Sequence, residues 1–119
     1  MGVIVVGVDQ SEGTKAALRF ALEEAKLRRA TLRAVHAADE LEATVSDAIP
    51  DRSEVEIERR VVEGTPGAVL VDEARGADLL VVGSRGRDGF AGLLLGSVSQ
   101  QVAHDAACPV VIAHGKPKQ

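Results

Sequence analysis

The chain has 119 residues, 45% hydrophobic and 27% charged, with one cysteine and a net charge of -4. That length suits one domain and a real core, and the composition excludes disordered and fibrous classes. The acidic balance argues against nucleic acid as a partner, and two Phe with no Tyr or Trp leave no aromatic platform for stacking bases. Met1 to Val6 carries no basic segment ahead of its apolar residues, and no apolar run reaches the ~18 residues of a membrane span. With a lone Cys108, these features predict a cytoplasmic protein without a membrane partner.

Val3 to Val8 is an almost unbroken β-branched run, as in a strand buried on both faces of a parallel sheet. Ser11 to Arg29 reads as a helix capped by Ser11, with Leu18, Ala21, Leu22 and Ala25 as its buried stripe and basic residues in the last turn. Thr31 to Ala37 is a second strand. Asp39 to Ser53 holds a weak helical stripe of Leu41, Val45 and Ile49, cut by Pro50, and predicts a short helix. Val55 to Val62 is a third strand, with Val55, Ile57 and Arg59 on one face. Thr65 and Pro66 open the next helix as cap and first residue, Val69, Leu70 and Ala74 face inward, and Gly76 ends it. Ala77 to Val82 is a fourth strand, and a glycine-rich loop follows from Gly83 to Gly96. Ser97 to Ala107 is a helix with Val98, Val102 and Ala106 stacked, and Pro109 to His114 is the last strand. Residues 1–115 form the domain and 116–119 a flexible tail.

Strands alternating with helices at this spacing predict right-handed crossovers, hence a doubly wound α/β domain with helices on both faces. Ligands of such sheets bind beyond the carboxyl ends of the strands, where strand order reverses. Gly83 and Gly86 let backbone amides approach an anion, and Gly96-Ser97 stands at a helix start, where unpaired N–H groups favour phosphate. Ser97 and Gln100 fit a capping box, and the Ser97 and Ser99 hydroxyls are further donors. The loop has no Gly-Lys-Ser/Thr and no lysine, so it is not a Walker loop, and it is not the GxGxxG fingerprint. No G-x-S-x-G elbow makes Ser84, Ser97 or Ser99 a nucleophile. His36, His104 and His114 are too scattered for a metal site and read as structural or surface residues. Cys108 reads as a buried structural thiol. The acidic stretch Asp39 to Glu58 reads as a solvated face.

These segments carry a family resemblance: Val-Gly-Val-Asp-Gln-Ser at the start, Ala-Val-His-Ala in the second strand, Val-Glu-Gly-Thr-Pro, Ala-Asp-Leu-Leu-Val-Val-Gly-Ser-Arg-Gly, Gly-Ser-Val-Ser, and Cys-Pro-Val-Val-Ile. The chain resembles the universal stress protein family, in its ATP-binding subgroup, whose G-x2-G-x9-G-[S/T] spacing is met by Gly83, Gly86, Gly96 and Ser97. The resemblance implies a five-stranded parallel sheet of order 3-2-1-4-5, of the adenine nucleotide alpha hydrolase-like class. It implies ATP at the ends of strands one and four, with Mg2+ or Mn2+, and AMP or cyclic AMP as other candidate ligands.

It also implies a homodimer paired through Val110 to Ala113. By position, Asp9 would hold the ribose or a metal-bound water. Gly7 and Val8 would line the same end, and Val35, at the end of strand two, would read the adenine edge with its backbone groups. Adenine would then lie between aliphatic side chains such as Val8 and Val35. Gly83, Arg85, Gly86, Gly96, Ser97, Val98 and Ser99 would wrap ribose and phosphates. The family pattern usually has a longer connection between strands two and three than Asp39 to Ser53 provides. The loop offers amides for an anion but no evident base to activate water, so binding is expected rather than turnover. The alternatives are a slow ATPase or autophosphorylating protein, with Ser97 or Ser99 as acceptor, and a nucleotide-free dimerisation or chaperone-like module.

Overall fold

The computed structural model describes residues 2–8, 13–38, 55–84 and 97–114. Among these described residues five strands and three helices follow in chain order: β1 (Val3–Gly7), α1 (Gly13–Arg28), β2 (Thr31–Ala38), β3 (Ile57–Glu63), α2 (Pro66–Glu73), β4 (Leu79–Gly83), α3 (Ser97–Asp105) and β5 (Val110–Ala113). All four strand pairings are parallel, and the sheet order is β3-β2-β1-β4-β5, as the resemblance implied. From β1 the chain moves to β2 on one side, and it later places β4 on the other. The order therefore reverses between β1 and β4.

Period-two alternation splits the strands between two cores. Ile4, Val6, Val8, Leu32, Ala34, Leu79 and Val81 face α1, which lays Ala17, Leu18, Ala21 and Ala25 against them. Three of those α1 residues are alanines, so the helix lies close to the sheet. Val5, Val35, Leu80 and Val82 face the other way, against Val69, Leu70 and Ala74 of α2 and Val102 of α3. Ile4, Val5 and Val6 are fully buried, which explains the apolar run that opens the sequence.

The stripes read from the sequence for α1, α2 and α3 face these cores. Several boundaries move. β2 runs one residue further, to Ala38, and α2 stops at Glu73 with a turn through Gly76, whose φ of 83° suits glycine. Thr65 is the extended N-cap residue of α2 but makes no side-chain cap bond. α3 is described from Ser97 to Asp105, two residues short of the expected Ala107. Arg59 is exposed rather than sharing a buried face with Ile57. The reason is that β3 is an edge strand, packed through Ile57 on one side and Val62 on the other. The expected Ser11 cap, Gly96 and the expected short helix within Asp39 to Ser53 lie outside the described residues.

The amino end of the sheet is closed by backbone bonds. Thr31 N–H donates to Gly2 O at 3.0 Å, Asp78 N–H to Val3 O at 2.8 Å, and Leu32 N–H to Glu56 O at 2.9 Å. α1 ends in a Schellman turn, with Ala30 N–H donating to Ala25 O at 2.9 Å and Arg29 left-handed at φ 55°.

Candidate functional site

The carboxyl ends of β1 and β4 meet the start of α3, and most of the described site expectations fall there. β1 stops at Gly7, where a Cβ would come within 2.7 Å of Leu70 Cδ1, so α2 packs onto bare backbone. β4 stops at Gly83. Leu80 N–H and Ser84 N–H both donate toward β5, to Pro109 O at 3.0 Å and Ala113 O at 2.9 Å. Strand alternation therefore turns the backbone groups of Val81 and Gly83 toward β1. The β1–β4 pairing ends at Val6 and Val81, so Gly83 presents its N–H and C=O to the cleft where strand order reverses.

The glycine-rich loop leaves β4 at Ser84 and returns at Ser97. Its two ends are held together from below: Ser99 Oγ donates to the Ser84 carbonyl at 3.1 Å, and both serines are buried. Ser99 thus has a structural contact that its expected role on phosphate did not include. Ser97 is exposed on the first turn of α3, while Val98 leans on the α2–α3 core. The start of α3 is therefore fixed beside the end of β4. Asp9, Arg85, Gly86 and Gly96 lie outside the described residues.

The expected base side needs correction at Val35. This residue is mid-strand and 1% exposed, and its carbonyl accepts the Val8 N–H at 2.9 Å. Its backbone groups belong to the β1–β2 ladder, in register with Gly7. Val8 and Val35 also cannot form two walls of one slot, because alternation sends Val8 into the α1 core and Val35 into the α2–α3 core. β2 continues past the end of β1, and the same alternation turns the N–H and C=O of Ala37 toward the space beyond Gly7.

One functional candidate was missed. His36 Nδ1 lies 3.1 Å from Val8 O, and since a carbonyl only accepts, Nδ1 carries the proton and donates. The sequence analysis read His36 as a structural or surface residue, because a contact 28 residues distant along the chain has no local signal.

Among the described residues no three His, Cys, Asp or Glu side chains converge as metal ligands. Cys108 is half-buried rather than fully buried, and the pKa of its thiol is pushed up by desolvation and then by the nearby Asp78 charge, both of which disfavour the thiolate. A cavity of about 400 Å³ lies at the opposite end of the sheet, lined by Ala25, Lys26, Arg29, Thr31, Val55 and Glu56, and contains none of the expected site residues. Among the described residues no helix is long and apolar enough to cross a membrane.

A five-stranded parallel sheet of order β3-β2-β1-β4-β5, with the end of β4 clamped to the start of α3 where strand order reverses, defines a doubly wound α/β protein. The model of the Universal stress protein family matches residues 1–54 and 46–114. The chain belongs to the universal stress protein family.

A universal stress protein of Mycobacterium tuberculosis is 37% identical over 131 residues, covering 92% of this chain and 44% of its own length. One from Mycolicibacterium smegmatis is 35% identical over 130 residues with the same coverage. The chain thus spans under half the length of these curated relatives. Both matches are longer than this chain, so the relatives carry residues with no counterpart here. The two pieces of the family match meet at residues 46–54, within the connection between β2 and β3.

Among solved structures, a universal stress protein in complex with cAMP superposes with a TM-score of 0.81 at 35% identity, covering 97% of this chain and 98% of that one. The universal stress protein from Archaeoglobus fulgidus in complex with dAMP gives 0.70 at 27% identity, covering 95% and 98%.

Proposed function

We propose that this chain binds an adenine nucleotide at the carboxyl ends of β1 and β4, with its phosphates at the start of α3. The observation that carries the reading is the Ser99–Ser84 bond, which fixes the helix start beside the end of β4 at the point where strand order reverses. The positive end of the α3 dipole and the backbone of Gly83 suit an anion. The similar proteins solved with cAMP and dAMP support adenine as the base.

On the base side the reading moves from Val35 to Ala37. Its N–H and C=O face the space beyond β1 with the spacing that meets N1 and the 6-amino group of adenine, an acceptor and a donor. Gly7 and Val8 close the floor of that space, and Gly83, Ser97, Val98 and Ser99 its phosphate side. Asp9, Arg85, Gly86 and Gly96 complete the proposed set through the family spacing, with Asp9 the position for the ribose or a metal-bound water.

ATP, with Mg2+ or Mn2+, is the proposed ligand, held rather than turned over. The described groups on the phosphate side are amide and hydroxyl donors, and none of them is a base that would activate water. We also place a homodimer on Val110 to Ala113. β5 is an uncharged edge strand, whereas the opposite edge, β3, carries Glu58, Arg59, Arg60 and Glu63, a composition that discourages pairing.

The test is mass identification of any nucleotide carried through purification, followed by calorimetry with ATP, AMP and cyclic AMP, with and without Mg2+. Heat with an adenine nucleotide, and markedly weaker heat with GTP, is expected. Absence of heat at millimolar concentration of all three ligands overturns the reading.

A further inference from the structure

Where β1 ends, a side chain occupies a place that the backbone ladder would otherwise fill. Gly7 pairs with Val35, and the Val8 N–H donates to Val35 O at 2.9 Å. In a parallel ladder the next rung runs from the Ala37 N–H to the Val8 carbonyl. That rung is absent among the described backbone bonds, and the Val8 carbonyl instead accepts from His36 Nδ1 at 3.1 Å.

We propose that His36 is a positioning residue of the nucleotide site: by occupying the Val8 carbonyl it releases the Ala37 amide from the sheet and leaves it for the base. The inference rests on the nucleotide reading above, and extends it to a side chain that need not touch the ligand. One consequence follows from the geometry: the ladder ends at a defined rung, which keeps the cleft open at Ala37 instead of letting it zip closed by one more bond.

Only a donor at the Nδ1 position serves this role. Asn places its amide N–H₂ near that atom, whereas Leu fills the volume without a donor. His36→Leu therefore removes the bond, and His36→Asn retains it.

The experiment has two arms on the full chain. In the ligand-free arm, amide hydrogen exchange at Ala37 is followed by NMR together with the His36 tautomer. The wild type is expected to show a protonated Nδ1 and a fast-exchanging Ala37 amide. In His36→Leu the same amide becomes protected as it takes the Val8 carbonyl, and in His36→Asn it stays fast. In the binding arm, calorimetry with ATP is expected to give about tenfold weaker affinity for His36→Leu, the loss of roughly one hydrogen bond, with recovery to within about twofold in His36→Asn.

An Nε2-protonated ring, or an Ala37 amide whose exchange is unchanged in His36→Leu, overturns the proposal whether or not nucleotide binds. So does equal loss of affinity in the Leu and Asn variants, which marks a merely steric role. If the wild type binds no adenine nucleotide, the nucleotide reading fails, and with it the role of His36 in serving a base. The ligand-free arm then reports separately on whether His36 ends the ladder.

Discussion

The two ends of the sheet are closed by different chemistry. At the amino end the backbone completes itself: Thr31, Leu32 and Asp78 donate to neighbouring carbonyls, and α1 ends in a turn made of its own peptide groups. At the carboxyl end β1, β2 and β4 stop at uneven heights. There Ser99 holds the Ser84 carbonyl and His36 holds the Val8 carbonyl. A backbone bond consumes a donor and an acceptor of the chain in one step. A side-chain donor satisfies the acceptor and leaves the backbone N–H for another partner. The contrast separates an end closed by backbone bonds from an end where side chains hold two of the carbonyls.

The largest expected effect comes from breaking the carboxyl end at its buried clamp. Ser99→Ala leaves the Ser84 carbonyl buried without this donor, which costs roughly 1–2 kcal/mol by the usual penalty for such a group. Chemical denaturation is the measure, and ATP affinity should fall as well, because the loop ends separate from the start of α3. A variant with unchanged stability and unchanged affinity removes the clamp from the argument.

The amino end should respond in the opposite direction. Arg29 is left-handed at φ 55°, a conformation costing a residue with a Cβ about 1 kcal/mol that glycine avoids. Arg29→Gly is expected to raise the denaturation midpoint by that amount while leaving nucleotide affinity unaltered, since the turn lies far from the cleft. Altered affinity would mean that the two ends are coupled.

The smallest effect belongs to His104, exposed at the last turn of α3 and 2.8 Å from the Asp105 carboxylate. The hydrogen bond to Asp105, and then its charge, raise the His104 pKa above its ordinary 6.5. A raised folded-state value means that the pair stabilises the fold fully below the unfolded pKa. That stabilisation fades as pH rises through the folded one. NMR titration should place the His104 midpoint above 6.5, and Asp105→Asn should lower it. A wild-type midpoint at or below the ordinary value removes this pair from consideration.

Much of this was legible without coordinates. The β-branched run of Val3 to Val8 announced a strand buried on both sides, and Ile4, Val5 and Val6 are fully buried. The apolar spacing in α1, α2 and α3 named the residues that reach the two cores, because helical period and burial are tied by geometry. Gly76 was readable as a helix terminator, since a left-handed turn residue leaves a mark in composition.

Val35 shows where such reading stops. Its place near a strand end was visible, but the difference between Val35 and Ala37 depends on where the neighbouring strand ends, and register between segments 28 residues apart is set by packing. Two residues along a strand leave a side chain on the same face, so no pattern of apolar residues distinguishes them.

By itself, then, the sequence determined the five strands and the helices α1, α2 and α3, the faces they bury and the family, because these follow from local periodicity and from ordered motifs. The tertiary structure decided which backbone groups remain unspent. Gly7 is explained by Leu70 above it, Ser99 by the Ser84 carbonyl, and His36 by the Val8 carbonyl. Each of these partners is distant along the chain, and a hydrogen bond or a steric contact is fixed by the meeting of two segments, which neither segment encodes alone.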